Sequence, residues 1–252
     1  MNSTTSPLLM IPLDLAIHSR ARNLAAQQST VEKGKRVYLN ALAVYAVHRY
    51  LKWLQIPTDL TESDCWNPVK AALSNVADLV IPHVGILECC AVLPTETVIL
   101  LPSNIENRIG YVAIQFQESL DSVQLLGFVP AFDEVNVPVQ LAVSELQPIE
   151  SLLQQISRLE EAIAFLQTDD SVAVQVRSIL EHKSLSEIAA QFELLYRTGD
   201  EFEWRYAGGE ILAVDAMAVG ATREIIDQDD SELQDLAEML MEKLAEIWGD
   251  AA

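Results

Sequence analysis

An α+β fold is predicted by three features of this 252-residue sequence. Two helical segments open the chain, five short β-rich runs follow in its middle, and helical periodicity returns from Pro148 onwards. The expected arrangement is a set of N-terminal helices packed on an antiparallel five-stranded meander or small barrel, followed by a mainly helical, acidic C-terminal region. Half of the residues are apolar, and a chain of this length buries roughly 70 % of its unfolded surface, enough for a core without staples.

The elements follow from local chemistry. Pro12 to Gln28 is rich in helix formers, with Leu13, Ile17 and Leu24 as an apolar stripe and Arg20 and Arg22 on the wet side. Thr30 caps a second helix that starts at Val31, carries Glu32 in its first turn and ends before Ile56-Pro57. Within it Ala41 to Val47 is apolar on every side, the mark of a helix buried all round. Asn67-Pro68 opens a short helix to about Asn75. The period then changes: Leu79–Ile81, Ile86–Leu93, Val98–Leu101, Ile109–Gln117 and Val123–Val129 read as strands with tight links, hence a meander. Imperfect alternation in Tyr111 to Phe116 implies cover on both sheet faces, by helices or by barrel closure.

From Ile149 to Leu166 apolar residues recur every three or four positions, and Thr168-Asp169-Asp170 then breaks the repeat with cap-forming residues. Two domains are read accordingly, 11–168 and 169–252. The second carries helices around Val172–Glu181 and Ser184–Leu195, an extended Phe202–Tyr206, a Gly208-Gly209 turn, an apolar run Ile211–Val219 and a last helix from Ser231 to Trp248.

Charge restricts the function classes. The formal net charge is -21, which argues against duplex nucleic acid, because phosphate contacts need clustered Lys and Arg. Residues 1–60 carry seven bases against three acids, whereas the other 192 carry nine against 34. Such asymmetry suggests complementary surfaces, within one molecule or between copies, with solubility alone as the plainer account. Three cysteines, two of them adjacent, do not make a secreted disulfide framework. No run approaches the ~18 apolar residues of a membrane span, no leader is read at the N-terminus, and a cytoplasmic location is expected.

Six ordered blocks carry a family resemblance: Lys35–Leu51 (KRVYLNALAVYAVHRYL), Ser63–Val69 (SDCWNPV), Ala77–Pro82 (ADLVIP), Gly85–Cys89 (GILEC), Arg108–Gln115 (RIGYVAIQ) and Leu125–Pro130 (LLGFVP). Together they resemble the domain of unknown function DUF1822, over about residues 11–165. The resemblance implies a cyanobacterial cytoplasmic protein and no assigned catalytic residue.

Each chemical constellation has a structural competitor. Cys89 or Cys90 with His83 is a candidate nucleophile and base for a hydrolase, against small residues filling a sheet face. His83 with Cys89, or Asp227, Asp229, Asp230 and Glu232, are candidate metal ligands, but zinc spacing and a calcium-loop glycine are missing, and acids before Ser231 serve as caps. Gly208-Gly209 lacks what a phosphate loop needs and reads as a turn. Ser184–Phe192 is similar to the first helix of a helix-turn-helix, and so to a transcriptional regulator, yet few cations follow it. Trp53 and Trp66 read as core. Leu240, Leu244, Ile247 and Trp248 form an apolar face with an aromatic anchor, which either docks on its own protein or binds a partner. The resulting expectation is a non-enzymatic interaction or regulatory protein with a protein partner or self-association, and with no cofactor or metal.

Overall fold

Asp14 and Thr30 open the first two helices as their side-chain oxygens allow. Asp14 Oδ1 accepts from the Ile17 amide at 2.9 Å and Thr30 Oγ1 from the Lys33 amide at 3.2 Å. In the computed structural model, which describes residues 9–73, 77–102, 108–132, 138–198, 202–207, 210–215 and 231–249, these are α1 (Leu15–Ala25) and α2 (Val31–Trp53). Gly34 lets them meet closely, since a Cβ there would sit 2.9 Å from the Ala25 carbonyl oxygen. The all-apolar stretch of α2 is buried as its composition requires, with Ala41, Leu42, Ala43, Val44, Ala46 and Val47 at zero exposure. Asn67 Oδ1 accepts from the Val69 and Lys70 amides and caps α3 (Pro68–Leu73), which follows a 3-10 turn at Asp64–Trp66.

The chain is mixed α+β, with a five-stranded sheet, but the meander is corrected. The strands are β1 (Leu9–Pro12), β2 (Asp78–Ile81), β3 (Gly85–Val92), β4 (Val98–Leu100), β5 (Arg108–Phe116), β6 (Ser122–Pro130) and β7 (Gln140–Ala142). Sheet order is β1-β6-β5-β3-β2, and β3 and β5 run parallel. Parallel neighbours need a crossover of about a dozen residues or more, and the segment after Val92 supplies it. β4 leaves the main sheet within that crossover and pairs with β7 instead. Its place as fifth strand is taken by β1, which lies just ahead of the first helical run read from the sequence, shares only Pro12 with it, and pairs antiparallel with β6. β1 and β2 stand at opposite edges, so among the described residues the sheet is open rather than a closed barrel.

Both sheet faces are covered. α2 lies against β1, β2, β3 and β6. On the other face Cys90, Val92, Tyr111, Ala113 and Val129 join Ile99 and Leu101 of the β4–β7 ribbon in one buried cluster. Eight of the nine β5 residues are accordingly buried, which accounts for the weak alternation of that strand.

Two compact units divide the chain between Gln154 and Gln155, inside α4 (Ser151–Leu166), earlier than the 168/169 division read from the sequence. The second unit continues with α5 (Ser171–Ile179), α6 (Leu185–Thr198), the antiparallel hairpin β8 (Phe202–Ala207) and β9 (Glu210–Asp215), and α7 (Ser231–Trp248). Asp170 caps α5 through the Val172 amide. Ser184 and Glu187 form a reciprocal capping box on α6: the Ser184 amide donates to Glu187 Oε2 at 2.6 Å and the Glu187 amide to Ser184 Oγ at 3.3 Å. Gly208-Gly209, Asp227, Asp229 and Asp230 lie outside the described residues.

Candidate functional site

Charged residues inside apolar strands are the first place to look for chemistry, because burial of an unpaired charge is too costly to persist without partners. Three meet in the first unit. Asp78 on β2 and Glu88 on β3 stand directly opposite each other across the ladder, with 4 % and 3 % exposure. Like charges facing one another are unfavourable, so each needs its own donors. Asp78 Oδ2 and Oδ1 accept from the Asp64 and Cys65 amides at 2.8 and 3.1 Å, tying the 3-10 turn to β2. Ser63 Oγ donates to the Asp78 carbonyl oxygen. Glu88 Oε1 accepts from the Ala77 amide at 3.0 Å and Oε2 from Arg108 Nη2 at 2.8 Å. Arg108 opens β5, lies over the Tyr111 ring at 4.9 Å, and keeps its Nε buried without a hydrogen bond. Burial pushes the Glu88 carboxyl above its usual range, opposed by the Arg108 guanidinium.

Four of the six sequence blocks therefore converge here, through Ser63–Trp66, Ala77-Asp78, Glu88 and Arg108. Sequence reasoning had passed over these residues as parts of structural runs. The available signal was one acid in the middle of Gly85–Val92 and one cation at the head of Arg108–Phe116, both in runs otherwise too apolar to face water. Both carboxylates are satisfied by backbone amides and one guanidinium, which makes the network a clamp between strands and turn.

The candidate thiols lie in the same region. Cys65, Cys89 and Cys90 are free and buried. Desolvation is the largest influence on all three and pushes each thiol upward, away from the thiolate that a nucleophile requires. His83 is exposed, at φ 66° in the turn between β2 and β3. Cys89 lies four strand residues beyond Gly85, about 13 Å along β3. Pleat alternation sends Cys90 into the β4–β7 cluster and Cys89 to the opposite face. Among the described residues no group of three or more His, Cys, Asp or Glu is placed to hold a metal ion.

In the second unit α7 packs on α5 and α6. Leu240 and Leu244 have zero exposure and Leu236 has 7 %. Trp248 Nε1 donates to the Arg158 carbonyl at 3.0 Å, and its ring meets Tyr196 edge-on at 4.8 Å. Lys243 pairs with Asp170 at 3.1 Å. Of the four residues read as a partner-binding face, then, Leu240 and Leu244 are used within the unit, Trp248 is half-buried against it, and Ile247 remains 40 % exposed. The opposite face is exposed: Glu238, Glu242 and Glu246 recur every four residues, with Met239 at 49 % beside them. α6, which began as a helix-turn-helix candidate, buries Ile188, Ala189, Phe192 and Leu195, and the next described element after it is a strand.

Fold and buried clamp together define a mixed α+β protein with a split core. The chain belongs to the family described as protein of unknown function (DUF1822), whose model matches residues 11–239, well past the 11–165 over which the resemblance was visible. No curated protein and no solved structure matches it. No helix among the described residues is long and apolar enough to cross a membrane.

Proposed function

We propose that the protein is a non-enzymatic protein–protein interaction or regulatory module, and that the outer face of α7 is a contact surface. The observation that carries this reading is the division of α7 into two faces. Its apolar face is occupied inside the unit, yet the other displays three glutamates in register with an exposed methionine. An anionic rim beside an apolar side chain steers and seats a cationic partner surface. The burial of all three thiols supports the same reading over a cysteine hydrolase built on Cys89 or Cys90 with His83.

Deleting α7 is a poor test, because it would uncover the residues on α5 and α6 that Leu240 and Leu244 cover. Reversing the outer face is the better one. In Glu238→Lys/Glu242→Lys/Glu246→Lys the proteins recovered by cross-linked pull-down from the cells of origin should drop out, while the thermal midpoint stays within a few degrees. An unchanged set of recovered proteins would refute the assignment.

A further inference from the structure

The first unit carries the counterpart of that face. α1 and α2 form a hairpin whose end is pinned where Gly34 meets Ala25. This gathers Arg22, from the last turn of α1, with Lys33, Lys35 and Arg36 from the first two turns of α2, against Glu32 as the lone acid of the segment. Arg22, Lys35 and Arg36 are exposed. Among the described residues none of these four cations has an acidic partner. In their midst Val31 is 93 % exposed.

Helix stability accounts for Arg22, at the negative end of α1, but not for the three cations of α2. The start of a helix carries partial positive charge, so Lys33 in the first turn is unfavourable, and Lys35 and Arg36 just beyond it gain nothing. Nor does burial account for them, since Lys35 and Arg36 are exposed. What the hairpin end does offer is a mirror of α7: three exposed cations and one exposed apolar residue, against three exposed glutamates and one exposed methionine.

Resting on the reading of α7 as a contact surface, we infer that its partner is a second copy of this chain, which presents the cationic α1–α2 hairpin end to the α7 face. The charge of the whole molecule favours this specific approach. Copies at -21 repel one another over most of their surface, so association is confined to where the rare positive patch meets the negative one. The contact joins unlike surfaces, a cationic one on one copy and an anionic one on the other, rather than one patch with itself. Both patches are small, so association is weak, with a Kd on the order of 10 µM or higher.

Sedimentation velocity on the full chain tests this between about 1 and 200 µM in ~0.1 M salt. The wild type should gain mass with concentration and lose it when salt is raised to about 0.5 M. Lys35→Glu/Arg36→Glu and Glu238→Lys/Glu242→Lys/Glu246→Lys should each weaken association about tenfold or more. Mixed together, the two variants still own one intact hairpin end and one intact α7 face between them. They should form a one-to-one pair that grows no further. A wild type that stays monomeric throughout, variants that associate like the wild type, or a mixture that stays monomeric would each overturn the inference. If the wild type is monomeric while the α7 variant still loses its cellular partners, this inference alone falls; if the α7 variant behaves as wild type in both assays, both readings fall.

Discussion

Glu88 is a carboxylate held away from water, and its two donors determine what happens when one is removed. Arg108→Met would leave the acid buried with only the Ala77 amide, and the breaking of a buried pair costs about 3–5 kcal/mol. Adding Glu88→Gln, which keeps an acceptor for Ala77 and removes the charge, should recover more than half of that loss in urea unfolding. The pH dependence carries the same sign. Burial raises the folded-state pKa of Glu88 above the unfolded value, so its favourable contribution is complete below the unfolded pKa and is lost as pH rises through the folded one. Without Arg108 that rise is unopposed, and the deficit of Arg108→Met should be larger at pH 7 than near pH 4. Equal deficits at both would show that Glu88 is not the group left stranded. The thiols give a second residue-scale outcome: none of the three should react with a thiol reagent in the native protein at neutral pH, and all should react after unfolding. One fast native thiol would reopen the nucleophile reading.

The β5–β6 pair shows how elements are held and why they were unequally legible. Gly127 sits where a Cβ would overlap the Gln147 carbonyl oxygen, and Gly110, at φ 155°, where it would overlap the Phe128 ring. Gly127→Ala should therefore cost about 2–4 kcal/mol in chemical unfolding, since backbone cannot yield as a flexible side chain can. A loss below about 0.5 kcal/mol would mean that the strand shifts freely. The ranges of α2, α5, α6 and α7 were readable because caps and apolar spacing are local signals, carried by Thr30, Asp170 and the Ser184–Glu187 box. Strand positions were readable for the same reason. Their order was not: the parallel pairing of β3 with β5 depends on where β4 goes, and β4 is drawn away by Leu141 and Val143, some forty residues later. β1 went unread ahead of the first helical run because four residues of edge strand carry too little periodicity. The clamp was invisible as a site because Asp78, Glu88 and Arg108 are separated in sequence and meet only once the sheet has formed.

Across the whole molecule, stability at low pH sets two kinds of carboxylate against each other. Asp14, Asp59, Asp170 and Glu187 are all held below their usual range, the first by the Ile17 amide, the second by the Thr61 side chain, the third by the Val172 amide with Lys243 behind it, and the last by Ser184. Groups lowered on folding contribute stability that is present above the unfolded pKa and lost as pH falls through the folded one. Three of them stand at the starts of α1, α5 and α6 and Asp59 in the turn after α2, so acid should loosen helix starts in both units. Glu88 acts in the opposite sense, alone among the described carboxylates whose pKa is shifted. Neutralising acids also relieves the self-repulsion of a chain at -21, which salt relieves at neutral pH without touching the caps. The thermal midpoint should therefore rise when salt is increased from about 0.02 to 0.3 M at pH 7, stay level down to about pH 5, and fall steeply below about pH 4 as the caps protonate. A midpoint that kept rising below pH 4 would mean that repulsion outweighs the capping carboxylates, and that the charge asymmetry, rather than the helix caps, governs the stability of this fold.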